Sequence, residues 1–597
     1  MPRRLRCLAA VFMATAAFTA SCTAGAEAIG EKAQLSYAAT RQHVADLIRV
    51  QMRKQKVTGL SIALVDNQDI VWAEGFGFAD KSDGIPATAE TVYRAGSITR
   101  LFTVMAAMQL AEQGRLDIDQ PLQTWLPQFA MRSRFAPAPI TPRMLMSHHS
   151  GLPADYLRGM WTAHPEPFTR LANKLRDEYV AYPPNFVMSY SNLGATLLGH
   201  VVQQASGEDF ISHVERTLLR PLGMTHSSLS VRPEAPLMSK AYRKGKVAEE
   251  SPLRDVPAGG LNSSVLDLGR FLQMVFADGR FGGQQIIKPA TLAEMMRRQN
   301  AGVALDVDFA VGLGWMLVPL KGVHPDEAGP TLRHAGGTQL FRSAIIALPK
   351  HKLGVIMLAN SPSAASALNE ISAEALTLAL EEKTGIKSVA DTGSEAAQVQ
   401  ESELRAFGGY YATAAGFAKV SASGNTMRVE LLGRRFRLVP RSNGSVELQY
   451  RFLGLFPIAL PGISDMDLSL AHIAGHDVLL ASSNGQRMLA GERIHPEPIG
   501  ERWMARLGEY EIVNGESDAF RPENMALRLR DGFLVFEALL PDLGEEVVRL
   551  AVRPVSETEL VILGLGRQMG ETIRVVEADG EERLAYSGYL LRKKAGW

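Results

Sequence analysis

The chain is 597 residues long, carries 63 Lys+Arg against 63 Asp+Glu, and is 46% hydrophobic. That length calls for two or three domains with real cores, and a formal net charge of zero excludes the one-signed surface of a nucleic-acid binder or of a protein built for acidic partners. Both cysteines, Cys7 and Cys22, lie near the beginning, which excludes a disulfide, a cysteine nucleophile or a thiolate metal site downstream.

Arg3, Arg4 and Arg6, the apolar run 8–20 and the small residues after it predict an export signal over residues 1–26. The run is too short to stay as a membrane span. Two processing sites compete: Thr19-Ala20-Ser21-Cys22 resembles a bacterial lipobox, in which Cys22 is lipidated, while Ala24-Gly25-Ala26 suits cleavage after Ala26. Either predicts a protein of the bacterial periplasm or cell envelope, lipid-anchored in the first case.

Beyond the signal, residues 37–54 have helical spacing, with Val44, Leu47, Ile48 and Met52 on one side. Residues 59–72 read as two strands around an Asp66-Asn67-Gln68-Asp69 turn. Matching strands return at 341–348 and 353–358, with a closing helix at 364–382. The pattern predicts an antiparallel sheet assembled from both ends and flanked by helices, with a helical subdomain between. In that subdomain, Tyr93-Arg94-Ala95-Gly96-Ser97 predicts an extended approach and a glycine turn that place Ser97 at the mouth of an amphipathic helix. Leu101, Val104, Met105, Met108 and Leu110 are its expected buried stripe. Ser264-x-x-Asp267 reads as a capping box and residues 192–206 as a further apolar helix.

Residues 388–402 shift to Ser, Thr, Gln, Glu and Ala and predict a linker closing a catalytic domain at 27–387. Leu404, Phe407, Gly408 and Tyr410 then recur as Met504, Leu507, Gly508 and Tyr510, and Arg437-Leu438-Val439-Pro440 is echoed at 549–554. Two tandem β-domains, 403–498 and 499–597, follow from the repeat; one larger β-domain is the alternative. The apolar stretch 453–463 contains Pro457 and Pro461 and is too short for a span, so it reads as strand and turn.

Three segments offer chemistry: Ser97-Ile98-Thr99-Arg100, Tyr190-Ser191-Asn192 and His334-Ala335-Gly336-Gly337. Taken singly, each has a plain reading as a helix cap, a turn or a strand end. Together and in this order they resemble the serine β-lactamase and penicillin-binding-protein superfamily, and most of all its class C-like branch of esterases, D-aminopeptidases and related hydrolases. Gly151-Leu152-Pro153, Pro221-Leu222-Gly223-Met224, Gly259-Gly260-Leu261-Asn262-Ser263 and Gly312-Leu313-Gly314-Trp315 are similar too. The resemblance covers residues 35–385 and implies an α+β fold, with lipocalin-like barrels as the appended β-domains.

It also implies acyl transfer with no cofactor and no metal. Ser97 attacks a carbonyl, Tyr190 serves as general base, Asn192 and His334 contact the substrate, and the Gly336-Gly337 backbone builds an oxyanion hole with the Ser97 amide. The implied substrate is a small ester, amide or peptide; a histidine at 334 in place of lysine disfavours penicillin-like carboxylates. Arg100 departs from the family's lysine. A guanidinium stays charged and cannot act as a base, so proton handling falls to Tyr190. The alternative is a catalytically silent binding protein, and a third reading gives the function to a ligand of the β-domains. His148-His149 has no third ligand at metal spacing and reads as structural. No Gly-x-Ser-x-Gly elbow, His-Glu-x-x-His or Walker A loop is present.

Overall fold

The computed structural model describes residues 35–389, 401–423, 426–441, 445–452, 456–458, 467–483, 486–519, 521–540 and 547–595. The export signal with Cys22, most of the linker and most of the apolar stretch 453–463 lie outside them. The described part of that stretch, Phe456–Ile458, is a strand paired with Val446–Phe452. No helix among the described residues is long and apolar enough to cross a membrane.

A six-stranded antiparallel sheet forms the frame, with strands in the order Leu332–Gly337, Arg342–Leu348, Leu353–Ala359, Gly59–Asp66, Asp69–Asp80 and Ile85–Pro86. The two ends of the first region meet at its centre, from Leu60 opposite Ala359 to Asp66 opposite Leu353. Alternation along Gly59–Asp66 decides which face each side chain takes. Leu60, Ile62 and Leu64 pack under the helices Ala38–Gln55 and Ala365–Thr384, while Ala63 and Val65 face the core shared with Val265–Phe276. Ser264 caps that last helix by accepting from the Asp267 amide at 3.2 Å.

The Ser97 helix, Thr99–Glu112, is not amphipathic as expected. Every residue from Thr99 to Leu110 is buried. It runs through the middle of the molecule against Asn192–Ser206 and Val256–Gly259, so no face is left for solvent.

Two eight-stranded barrels follow. In the first, strands between Gly409 and Ile494 close through the pairing of Gly409–Thr413 with Gln486–Ile494, and Phe456–Ile458 is an added strand. The second closes from Gly508–Ile512 to Tyr589–Lys593. The repeat is real, but its register is one residue off the sequence alignment. The Tyr411 hydroxyl donates to the Phe407 carbonyl at 2.9 Å and the Tyr510 hydroxyl to the Arg506 carbonyl at 2.6 Å. Tyr411 and Tyr510 are therefore the equivalent residues, each tying its first strand to a short preceding helix, Glu401–Ala406 or Glu501–Ala505.

The second barrel sits on the helical part of the first region. Leu157 donates its amide to Ser587 Oγ at 2.9 Å and Gly159 to Asp518 at 2.9 Å. Arg134 pairs with Glu559 at 2.9 Å and Arg574 with Glu178 at 3.1 Å. Tyr182 and Val187 join the barrel's own apolar core.

Candidate active site

The position of Ser97 is set by backbone crowding. Tyr93–Arg94 pairs with Leu261–Ser263, and the chain then turns at Gly96, whose φ is +54°. A side chain there would be strained and would put its Cβ 2.8 Å from the Gly337 nitrogen. A Cβ on Gly336 would lie 2.1 Å from the Ala95 carbonyl oxygen. Only glycines let the end of Leu332–Gly337 press against the Gly96–Ile98 turn. Thr99 fixes the turn by donating to the Gly96 carbonyl at 2.6 Å and accepting from the Leu261 amide at 3.0 Å. Ser343 Oγ donates to the Ala95 carbonyl at 2.6 Å. Ser97, Asn192 and Gly337 thus line one cavity.

One helical turn beyond Ser97, Arg100 is buried and spends its two terminal nitrogens on the second motif. One donates to the Tyr190 oxygen and the other to Asn192 Oδ1. The guanidinium carbon lies 4.3 Å from the centre of the Tyr190 ring, while Nε has no partner. Asn192 opens the helix Asn192–Ser206, whose cap is Ser191 Oγ accepting from the Gly194 amide at 2.8 Å. Burial draws Arg100 below its ordinary value and Tyr190 opposes this; a guanidinium remains charged in that setting.

The chain of contacts continues to two residues that sequence reasoning missed. Asn192 Nδ2 donates to Asp155 Oδ1. Asp155 Oδ2 accepts from Arg567 at 3.2 Å, and the Arg567 guanidinium carbon lies 5.2 Å from the Tyr190 ring centre. Arg567 comes from the second barrel, between the strands Glu559–Ile562 and Thr572–Ala578. Enclosure in the cleft works against its charge, but Asp155 and then Tyr190 outweigh that and hold Arg567 above its usual range. Asp155 lies two residues after the Gly151-Leu152-Pro153 turn, a position at which its carboxylate could have been noticed. Arg567 stands in no motif.

Burial holds both nearby histidines below their ordinary value. His334 donates from Nδ1 to the Ala335 carbonyl at 2.8 Å and leaves Nε2 buried without a partner. Burial, then Arg100, pushes it down to about 3. Its ring packs 6.5 Å from that of Tyr190, centre to centre, whereas Gly337 rather than the His334 ring lines the cavity. His148 lies 4.3 Å from the Tyr190 ring, and its Nδ1 accepts from the Ser191 amide at 3.3 Å. Burial and then Arg100 hold it well below its ordinary value. His149 turns away to Asp306 at 2.7 Å. No group of three metal-ligating side chains occurs among the described residues.

Protein flp of Staphylococcus aureus (strain NCTC 8325 / PS 47) is 23% identical over 340 residues, which is 54% of this chain and 63% of that protein. The chain thus spans less than two thirds of that relative's length. A Beta-lactamase of Providencia stuartii is 28% identical over 370 residues, covering 54% of this chain and 88% of that one. Penicillin-binding protein 4 of Amycolatopsis lactamdurans is 26% identical over 313 residues, covering 50% and 80%. Among solved structures, the octameric penicillin-binding protein homologue from Pyrococcus abyssi shares the fold at a TM-score of 0.50 and 23% identity, covering 75% of this chain and 99% of that one. SurE with D-Leu does so at 0.53 and 22%, covering 76% and 99%. A family model described as Beta-lactamase matches residues 44–379, more than half of the chain, and on that match the chain belongs to the beta-lactamase family, which supports a serine-hydrolase type of function in general.

Proposed function

We propose that the protein is an exported serine hydrolase that acts by acyl transfer through Ser97 on a small ester, amide or peptide. The observation that carries this reading is the double contact of Arg100, which holds Tyr190 and Asn192 together beside the cavity that Ser97 lines. Arg100 has no proton to take or give in the reaction. The Ser97 proton then passes to the Tyr190 oxygen, and Arg100 beside that oxygen and Arg567 across the ring are the cations that offset the charge of the base. Ser97 Oγ bonds to the substrate's carbonyl carbon. The oxyanion is received by the amides of Ser97 and Gly337, whose close approach the glycines at 96 and 336 permit. The leaving group departs with the proton from Tyr190, and water hydrolyses the acyl-enzyme by the same route in reverse.

Steady-state hydrolysis of p-nitrophenyl acetate by the native chain, Ser97→Ala and Tyr190→Phe tests this reading. Both variants should fall at least about 10²-fold, the scale of losing an acid–base partner. Turnover unaffected by Ser97→Ala would overturn it. The N-terminal pattern of basic, apolar and small residues supports export.

A further inference from the structure

The cavity that Ser97 lines does not end in the catalytic region. It holds about 310 Å³ and continues into the second barrel, where Met525, Phe536, Ala538, Val548, Leu550 and Leu591 line it. These residues alternate along their strands with outward-facing ones, so they belong to the barrel's inner wall. Deeper on the same wall, Leu527, Leu534 and Val552 are packed solid with Trp503. The Trp503 indole closes that end by donating to the Ser556 carbonyl at 2.8 Å. The opposite end carries the turns that touch the catalytic region, at Asp518, Gly564 and Ser587. The barrel is thus plugged at one end and open towards Ser97 at the other, with Arg567 and Asp155 at the mouth. From Leu540 at the rim to Phe536 is four residues, about 13 Å of strand.

We infer that the upper lumen of the second barrel is an acyl-chain pocket, and that the substrate is an ester or amide of a medium-length aliphatic acid. The inference rests on Ser97 being the nucleophile. Arg567, Gln568, Tyr586 and Tyr589 stand at the mouth, and beyond them the lining among the described residues is apolar, so a polar substrate would lose hydration there without compensation. An aliphatic chain loses only unfavourable contact with water. With the chain in the lumen, its carbonyl lies at the mouth, where Ser97 Oγ bonds to it. The alcohol or amine leaves with the serine's proton, and water then releases the carboxylic acid and restores the hydroxyl.

The test is a p-nitrophenyl ester series from acetate to octanoate on the full chain. kcat/KM should climb by about fourfold per methylene until the lumen is full, and octanoate should exceed acetate by at least tenfold. In Ala538→Leu and then Ala538→Trp, the preferred chain should shorten step by step, which a general loss of stability does not do; the leucine variant remains informative if tryptophan prevents folding. Ser97-dependent acetate turnover with no gain from chain length, or a preference unmoved in the folded leucine variant, would overturn the pocket and leave the hydrolase reading standing. If no ester is turned over, the hydrolase reading fails instead. Calorimetry of octanoic acid with Ser97→Ala then decides the pocket: saturable binding weakened by Ala538→Leu supports it, and no binding overturns it.

Discussion

Arg567 and Asp155 lie 412 residues apart in the chain and meet at 3.2 Å at the edge of the Ser97 cavity. The β-domain at the C-terminal end thereby supplies a cation to the cleft that Ser97 lines. Asp155 in turn holds Asn192, so the barrel's position reaches the site through one carboxylate.

Arg567→Ala should therefore lower kcat/KM by about tenfold or more while leaving the melting temperature nearly unchanged, because its side chain is 42% exposed to the cavity and its ion pair is solvent-screened. Arg567→Lys should recover part of the loss. Steady-state kinetics beside thermal melts separate this from a structural effect.

Replacing Arg100 should be costly both to rate and to stability. Arg100→Met leaves the Tyr190 oxygen and Asn192 Oδ1 without their buried donor. A loss on the order of 1–3 kcal/mol in chemical denaturation and at least a hundredfold in kcat/KM are expected. Arg100→Lys keeps one charge and one donor and should retain far more activity than Arg100→Met.

Gly96→Ala meets two obstacles, a positive φ and the Gly337 backbone 2.8 Å from the new Cβ. The turn must shift, and the oxyanion donors with it. Activity should drop by about 10²-fold or more, with a stability loss of about 1–3 kcal/mol.

The contribution of Glu571 to stability should fall between about pH 4.5 and pH 7, against the rise that the buried His148 and His334 give over part of the same window. This buried carboxyl accepts from the Ala154 amide at 2.8 Å and the Tyr586 hydroxyl at 2.7 Å, and burial pushes it up to about 7 from 4.5. A raised folded-state value means that the folded chain holds the proton longer than the unfolded one. Its contribution is whole below pH 4.5, declines as pH rises through about 7, and amounts to ~3 kcal/mol across the window. The stability of the native chain minus that of Glu571→Gln, from denaturant melts over that range, should show this slope; a difference that stays flat with pH would contradict it.

The legible parts of the molecule were those with a local signature. Alternation in Gly59–Asp66 and Leu353–Ala359 gave the sheet, and the Ser264 cap gave a helix start. The Gly96-Ser97 turn could be read because a tight backbone approach demands glycine. The all-round burial of Thr99–Glu112 could not, since it depends on which elements surround the helix. The repeat was visible in composition, but its register rests on the Tyr411 and Tyr510 hydroxyl contacts, which no pattern of residue types encodes. Arg567 was invisible for the same reason: its partner is set by how the barrel docks.

The central claim is that Ser97 is an activated nucleophile despite Arg100 standing where the family has lysine. Intact-protein mass spectrometry after treatment with a fluorophosphonate probe measures this directly. One adduct is expected on the native chain, absent in Ser97→Ala and strongly slowed in Tyr190→Phe. A native chain that stays unlabelled while Arg100→Lys becomes labelled would contradict it, and would assign the cleft to binding alone.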